Sequence, residues 1–106
     1  MSDPRYQVSF TSTFRRQYKK LTSADKELAD AAIENLVALV NIADPTSDEA
    51  RRLGVSLRTK VIQKFRKKRP KRMEATFAPD GRIVWVLDGD LLRLIYIGPH
   101  SVLNKE

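Results

Sequence analysis

The chain has 106 residues, 42% of them hydrophobic and 31% charged, with a formal net charge of +7. That balance fits one globular domain, residues 1–106, with a modest core, and excludes a disordered chain. With no cysteine and one histidine it has no disulfide, no thiol nucleophile and no metal site built on two such ligands, so neither metal nor cofactor is expected.

The start, MSDPRYQVSF, lacks a basic run followed by an apolar stretch, and no apolar run approaches the ~20 residues of a membrane span. A soluble, cytoplasmic protein is expected. Tyr6–Phe10 alternates and reads as a short strand. Thr11, Ser12 and Thr13 offer hydroxyl caps for a short helix whose apolar stripe is Phe14, Tyr18 and Leu21. Thr22 with Asp25 approximates a capping box for a second helix over about 24–40, marked by Leu28, Ala32, Leu36, Leu39 and Val40. Alanine at 29, 31 and 32 would allow close packing. Ser47 caps a further short helical turn up to Gly54.

The stretch 51–72, RRLGVSLRTKVIQKFRKKRPKR, holds eleven Lys or Arg and no acid, while the flanking parts are each slightly acidic. A segregated field of this kind favours a polyanion such as nucleic acid. Val55 and Leu57 suit an extended segment, and Val61, Ile62 and Phe65 suit a turn or two of helix. The stretch therefore reads as irregular chain tethered by its apolar residues. After it the period changes to strand. Met73, Ala75 and Phe77 alternate, Ala78–Gly81 is a turn, Arg82–Leu87 is a nearly all-apolar strand, Asp88-Gly89-Asp90 marks a hairpin, and Leu91–Ile97 is the last strand. A short tail follows Gly98-Pro99. The expected architecture is α+β. An N-terminal strand and two helices pack on an antiparallel sheet completed by a C-terminal three-stranded meander, and the face away from the helices stays open for a ligand.

His100 is the one imidazole and sits in a basic neighbourhood. It is a candidate general acid or base for attack of a ribose 2′-OH on the adjacent phosphate, the alternative being an ordinary exposed histidine. Tyr96 could stack on a base or assist the proton transfer. Arg93 could grip phosphate or form an ion pair. Strict alternation points Tyr96 and Arg93 to opposite faces, Tyr96 with Leu92 and Leu94, and Arg93 with Leu91, Ile95 and Ile97. Glu74 and Asp80 are the nearest carboxylates, read first as solvated ion pairs, and Trp85 reads as core. Lys64, Arg66, Lys67, Lys68, Arg69, Lys71 and Arg72 are candidate phosphate contacts.

The segments VSFTSTFRRQYKKL, the helix 24–40 and RMEATFAPDGRIVWVLDGDLLRLIYIGPHSVL together resemble the RelE/ParE superfamily of bacterial type II toxins, and the closing hairpin with GPHSVL resembles its YafQ-type branch. The resemblance covers nearly the whole chain. It implies a RelE-like fold and a ribosome-dependent mRNA endoribonuclease that works without a metal and is held inactive by a cognate antitoxin. Its partners would be mRNA, the ribosome and that antitoxin, with no membrane and no small-molecule cofactor. By position His100 matches the catalytic histidine of the Gly-x-His motif, and Asp80 matches the acid of the Pro-Asp pair. Thr76 stands where the branch has a histidine, Tyr96 where it has an arginine, and no aromatic follows His100. Relatives that share the fold instead poison DNA gyrase, and a catalytically degenerate binding module on the same fold is the third reading.

Overall fold

The computed structural model describes residues 5–104. In chain order it has strand β1 (Gln7–Phe10), helices α1 (Ser12–Lys19), α2 (Ser23–Val40) and α3 (Asp48–Leu57), and strands β2 (Lys60–Val61), β3 (Met73–Thr76), β4 (Gly81–Asp88) and β5 (Leu91–Pro99). A 3-10 turn, Gln63–Phe65, follows β2, and a 3-10 helix, His100–Asn104, follows β5. All three α-helices start on a hydroxyl. The side chains of Thr11, Thr22 and Ser47 accept from the backbone N–H groups of Phe14, Asp25 and Ala50 at 3.0, 3.1 and 3.2 Å. Each satisfies a donor that the helix cannot use internally.

The α+β class and the meander stand as the sequence implied. β3, β4 and β5 pair antiparallel, with Gly89 taking the positive φ of 63° that the β4–β5 turn requires. The sheet as a whole is mixed rather than antiparallel, in the order β1-β5-β4-β3-β2. β1 runs parallel to β5, with Gln7 opposite Leu91 and Phe10 opposite Leu94. Periodicity identifies a strand but carries no information about its neighbour, and here the first strand lies beside the last. Its entry is fixed by Asn41 at the end of α2. The Asn41 Oδ1 accepts from the Tyr6 N–H at 2.7 Å, and its Nδ2 donates to Val37 O at 2.9 Å.

The helices cover one face. Phe14, Ala29, Ala32, Leu36 and Leu57 meet Ala75, Ile83, Trp85, Leu92, Leu94 and Ile97 there. Ala29 and Ala32 are buried, so α2 lies close to its neighbours, while Ala31 faces solvent. Trp85 is core, as read. The other face is not fully open. Ile62, Phe65, Val84, Val102 and Leu103 form a second, smaller cluster that covers part of it. Of the short tail read after Pro99, residues 100–104 therefore belong to this second core through Val102 and Leu103.

The chain also continues as helix past Gly54. An extended reading puts Val55 and Leu57 on one face, whereas a helix puts them about 200° apart. The structure has Leu57 buried at 2% exposure and Val55 at 71%, as the helix requires. A Cβ added at Gly54 would meet only Thr59 Oγ1, at 3.9 Å. Gly54→Ala is thus expected to stabilise the protein by about 0.5–1 kcal/mol in urea denaturation, by removing backbone freedom from the unfolded chain. A lower midpoint for this variant would contradict the helical assignment of residues 55–57.

Candidate nucleic-acid interface

The site residues are brought together by an irregularity in β5. Val84 pairs with Tyr96, but Trp85 pairs with Leu94, so Ile95 is an extra residue in the strand. Such a bulge resets the alternation of side chains. Leu92, Leu94 and Ile97 face the helices, and both Ile95 and Tyr96 pack against the second cluster. Arg93 pairs with Val86, two residues from Val84, and therefore shares the second face with Tyr96. The expectation that Arg93 and Tyr96 point to opposite faces is wrong. They sit on one face, roughly 7 Å apart along the sheet. The bulge is held from outside the meander, because Thr11 Oγ1 donates to Ile95 O at 2.7 Å. The sequence carried a faint signal of it. In LLRLIYI the apolar residues at 92, 94 and 97 cannot share a face unless one position is skipped.

The basic stretch is also not one surface. Its first part is α3, whose Leu57 packs into the helix-side core, so Arg51, Arg52 and Arg58 belong to that side. β2 is the sheet edge. Beyond it Ile62 and Phe65 enter the second cluster, and residues 64–72 lie over the second face. Lys64, Arg66, Lys67, Lys68, Arg69 and Lys71 are exposed, and Arg72 is half-buried. Arg69 turns back on its own loop, its Nη1 donating to Arg66 O and Lys68 O at 2.9 Å each. Lys64 Nζ donates to Asn104 O at 3.5 Å, which links the loop to the C-terminal 3-10 helix.

His100 opens that 3-10 helix and is exposed. Its backbone N–H points to Asp80 Oδ1 at 3.4 Å, so the structure joins His100 and Asp80 through main chain. Arg82 lies over the same turn, with its Nη1 donating to Ala78, Pro79 and Gly81 carbonyls at 3.0–3.3 Å. Thr76 pairs with Arg82, and Arg82 pairs with Gly98 across the sheet. Arg93 Nη2 stands 3.6 Å from Asp88 Oδ2, with the arginine side chain 41% exposed. That ion pair is half-solvated and therefore weak. Glu74 departs from its reading as a solvated ion pair. It is 6% exposed, and Lys60 Nζ lies at 3.8 Å over it from the edge strand.

A larger groove lies elsewhere, between α1 and α2. Its volume is about 800 Å³, and it is floored by Phe10, Phe14 and Ile33 and rimmed by Arg15, Lys19, Asp30 and Glu34. Inside it the Tyr18 hydroxyl donates to Asp30 Oδ1 at 2.6 Å, and this bond holds the phenol pKa above its ordinary value. None of the residues picked from sequence as site residues lines it.

Neither a family model nor a curated protein matches the chain. Solved structures do. A chain of the Escherichia coli DinJ–YafQ toxin–antitoxin complex superposes with a TM-score of 0.66 at 14% identity, over 93% of this chain and 97% of that one. YafQ from E. coli strain BL21(DE3) superposes at 0.60 and 18% identity, over 92% and 97%. A chain of the archaeal RelE–RelB complex from Pyrococcus horikoshii OT3 superposes at 0.62 and 10% identity, over 92% and 97%. The fold is RelE-like. The resemblance read in the sequence is borne out at that level.

In this RelE-like chain Gly98 has a steric duty. A Cβ there would come within 2.9 Å of Val102 Cγ1, so the 3-10 helix folds back onto the sheet only because residue 98 has no side chain. Gly98→Ala is expected to lower stability by about 1–3 kcal/mol through overpacking. It should also move the His100 and Val102 amide resonances far more than those of α2. Unchanged resonances at both positions would refute the packing described.

Proposed function

We propose that the chain is the toxin of a toxin–antitoxin pair and acts as a ribosome-dependent mRNA endoribonuclease. The observation that carries this reading is the Ile95 bulge. It turns Tyr96 onto the face that Arg93, the basic loop and the His100 helix already share. A surface with one imidazole, one phenol and a cluster of cations is suited to RNA cleavage through the 2′-OH. The hydroxyl must lose a proton, the scissile phosphate gains charge, and the leaving 5′-oxygen must gain a proton. His100 moves a proton as general acid or base. Asp80 acts as a positioning group, since its carboxylate reaches the His100 main chain rather than a substrate. Tyr96 stacks on a base or assists the proton transfer.

The arginine that the YafQ-type pattern has at position 96 is then supplied from position 93, a reading supported by Arg93 and Tyr96 sharing one face. Lys64, Arg66, Lys67, Lys68, Arg69, Lys71 and Arg72 hold the backbone of mRNA and ribosomal RNA. The partner that restrains the toxin is a cognate antitoxin, a reading supported by the DinJ–YafQ and RelE–RelB complexes that share the fold.

In a translating extract the native protein is expected to cut mRNA. His100→Ala should cut at least about a hundredfold more slowly, the scale of a lost general acid or base. Arg93→Gln should slow cleavage without changing the site of the cut. Primer extension on the recovered message reads both effects. An intact message with folded native protein overturns the nuclease reading, and DNA breaks dependent on gyrase under the same conditions would replace it with gyrase poisoning.

A further inference from the structure

Phe65 sits at the centre of the basic loop and is only 4% exposed. Three cations meet on its ring. Lys64 Nζ and Lys68 Nζ each lie 5.6 Å from the ring centroid, and Arg72 Cζ lies at 5.1 Å. No Asp or Glu occurs anywhere in 51–72, so the segment's own sequence offers no acid to gather them. Left to themselves, three like charges on a loop repel and spread. The face of an aromatic ring is the negative end of a quadrupole and attracts cations within about 6 Å. Here the ring supplies an attraction common to all three.

The ring is itself fixed. Ile62, Val84, Val102 and Leu103 pack with it in the second core. The backbone around it is also closed up, with the Phe65 N–H donating to Ile62 O at 3.0 Å and the Lys68 N–H to Phe65 O at 2.9 Å. An open hollow of about 380 Å³ is lined by Lys64, Phe65, Arg66, Lys67 and Lys68. A cation resting on a ring uses only one side for that contact. An ammonium carries three N–H donors, so a lysine resting on the ring keeps donors that point away from it.

We infer that Phe65 is a positioning residue that gathers Lys64 and Lys68 into one phosphate-gripping subsite for the RNA backbone, with Arg72 packed on the same ring. This rests on the RNA reading above and names the part of the surface that grips the strand. The gain is preorganisation. The cations are collected when the protein folds, so little ordering is left to cost affinity at binding. Arg66, Lys67 and Lys71 flank the cluster and add general attraction.

The test is fluorescence anisotropy with the full-length protein and a short labelled oligouridine over a range of KCl concentrations. Phe65→Leu keeps an apolar side chain in the core and removes the ring face. It should bind about three- to tenfold more weakly. Its log–log salt slope should shrink towards that of Lys64→Gln/Lys68→Gln, which loses about 0.7 for each contact removed. Phe65→Tyr, which keeps the ring, should restore affinity and slope. In the Lys64→Gln/Lys68→Gln background, Phe65→Leu should change affinity less than about twofold, because the groups it positions are gone. Equal losses in both backgrounds, or native affinity and slope in folded Phe65→Leu, overturn the inference while leaving RNA binding intact. If Phe65→Leu does not fold, the native protein still decides. Ring-current shifts on the Lys64 and Lys68 ε-methylene protons, altered by oligouridine, support the inference, and their absence overturns it. A native protein that does not bind oligouridine at low salt removes the RNA reading and the inference together.

Discussion

The extra residue at Ile95 is the constraint on which the two-sided design of the sheet depends. Upstream of it, β5 presents Leu92 and Leu94 to the helices and Arg93 to the other side. Downstream, the phase must shift if Ile97 is to be core and Tyr96 is not. Without the bulge the phenol would enter the helix-side core, Ile97 would face the basic loop, and the site would lose its aromatic. A bulge leaves a backbone group without its ladder partner. Here the Ile95 carbonyl is satisfied by the hydroxyl of Thr11. The same hydroxyl caps α1 by accepting from Phe14 N–H. One side chain therefore fixes the start of the first helix and the phase of the last strand. α1 contributes once more when Gln17 Oε1 accepts from the Ile97 N–H at 2.9 Å, beyond the reach of the short β1.

The charge of 51–72 acquires structure through its apolar residues. Leu57 is drawn into one core and Ile62 with Phe65 into the other, so the chain has to cross the sheet edge between them. β2 is what remains at that crossing, two residues long and carrying Lys60 outward. A short edge strand with a lysine is also a poor template for unwanted strand pairing. The same crossing divides the cations into a helical group on one side and a loop group on the other. The loop group alone shares the face with His100, Tyr96 and Arg93.

Much of this was legible in the sequence, and the limits fall along a physical line. Hydroxyl caps, the apolar stripe of α2 and the tight turns of the meander are decided within a few residues, and the sequence shows them. The end of α3 was misread because a glycine and two β-compatible apolar residues look locally like an exit from helix. Burial of Leu57 overrides that preference. The parallel pairing of β1, the phase shift at Ile95 and the burial of Val102 and Leu103 are each set by partners far along the chain. The site residues suffered most. Types and positions were visible, but which face Tyr96 takes depended on a hydroxyl far earlier in the chain, at Thr11. Phe65 was seen only as an apolar tether, though Lys64, Lys68 and Arg72 surround it at spacings of four.

The second core is small, and its smallness bears on function. Its buried members come from three separate pieces of chain, Ile62 with Phe65, Val84, and Val102 with Leu103. Only Val84 lies on a strand paired on both sides. The other two pieces are the arms that carry the cations and the histidine, and they share this one cluster with each other and with Val84 of the sheet. The Lys64 to Asn104 bond runs the same way. Local opening free energy falls where buried apolar contacts are few. Loosening either arm therefore weakens packing of the other, and with it the placement of the loop cations and of His100. The helix-side core, with its larger set of buried side chains, can hold the fold while the two arms adjust.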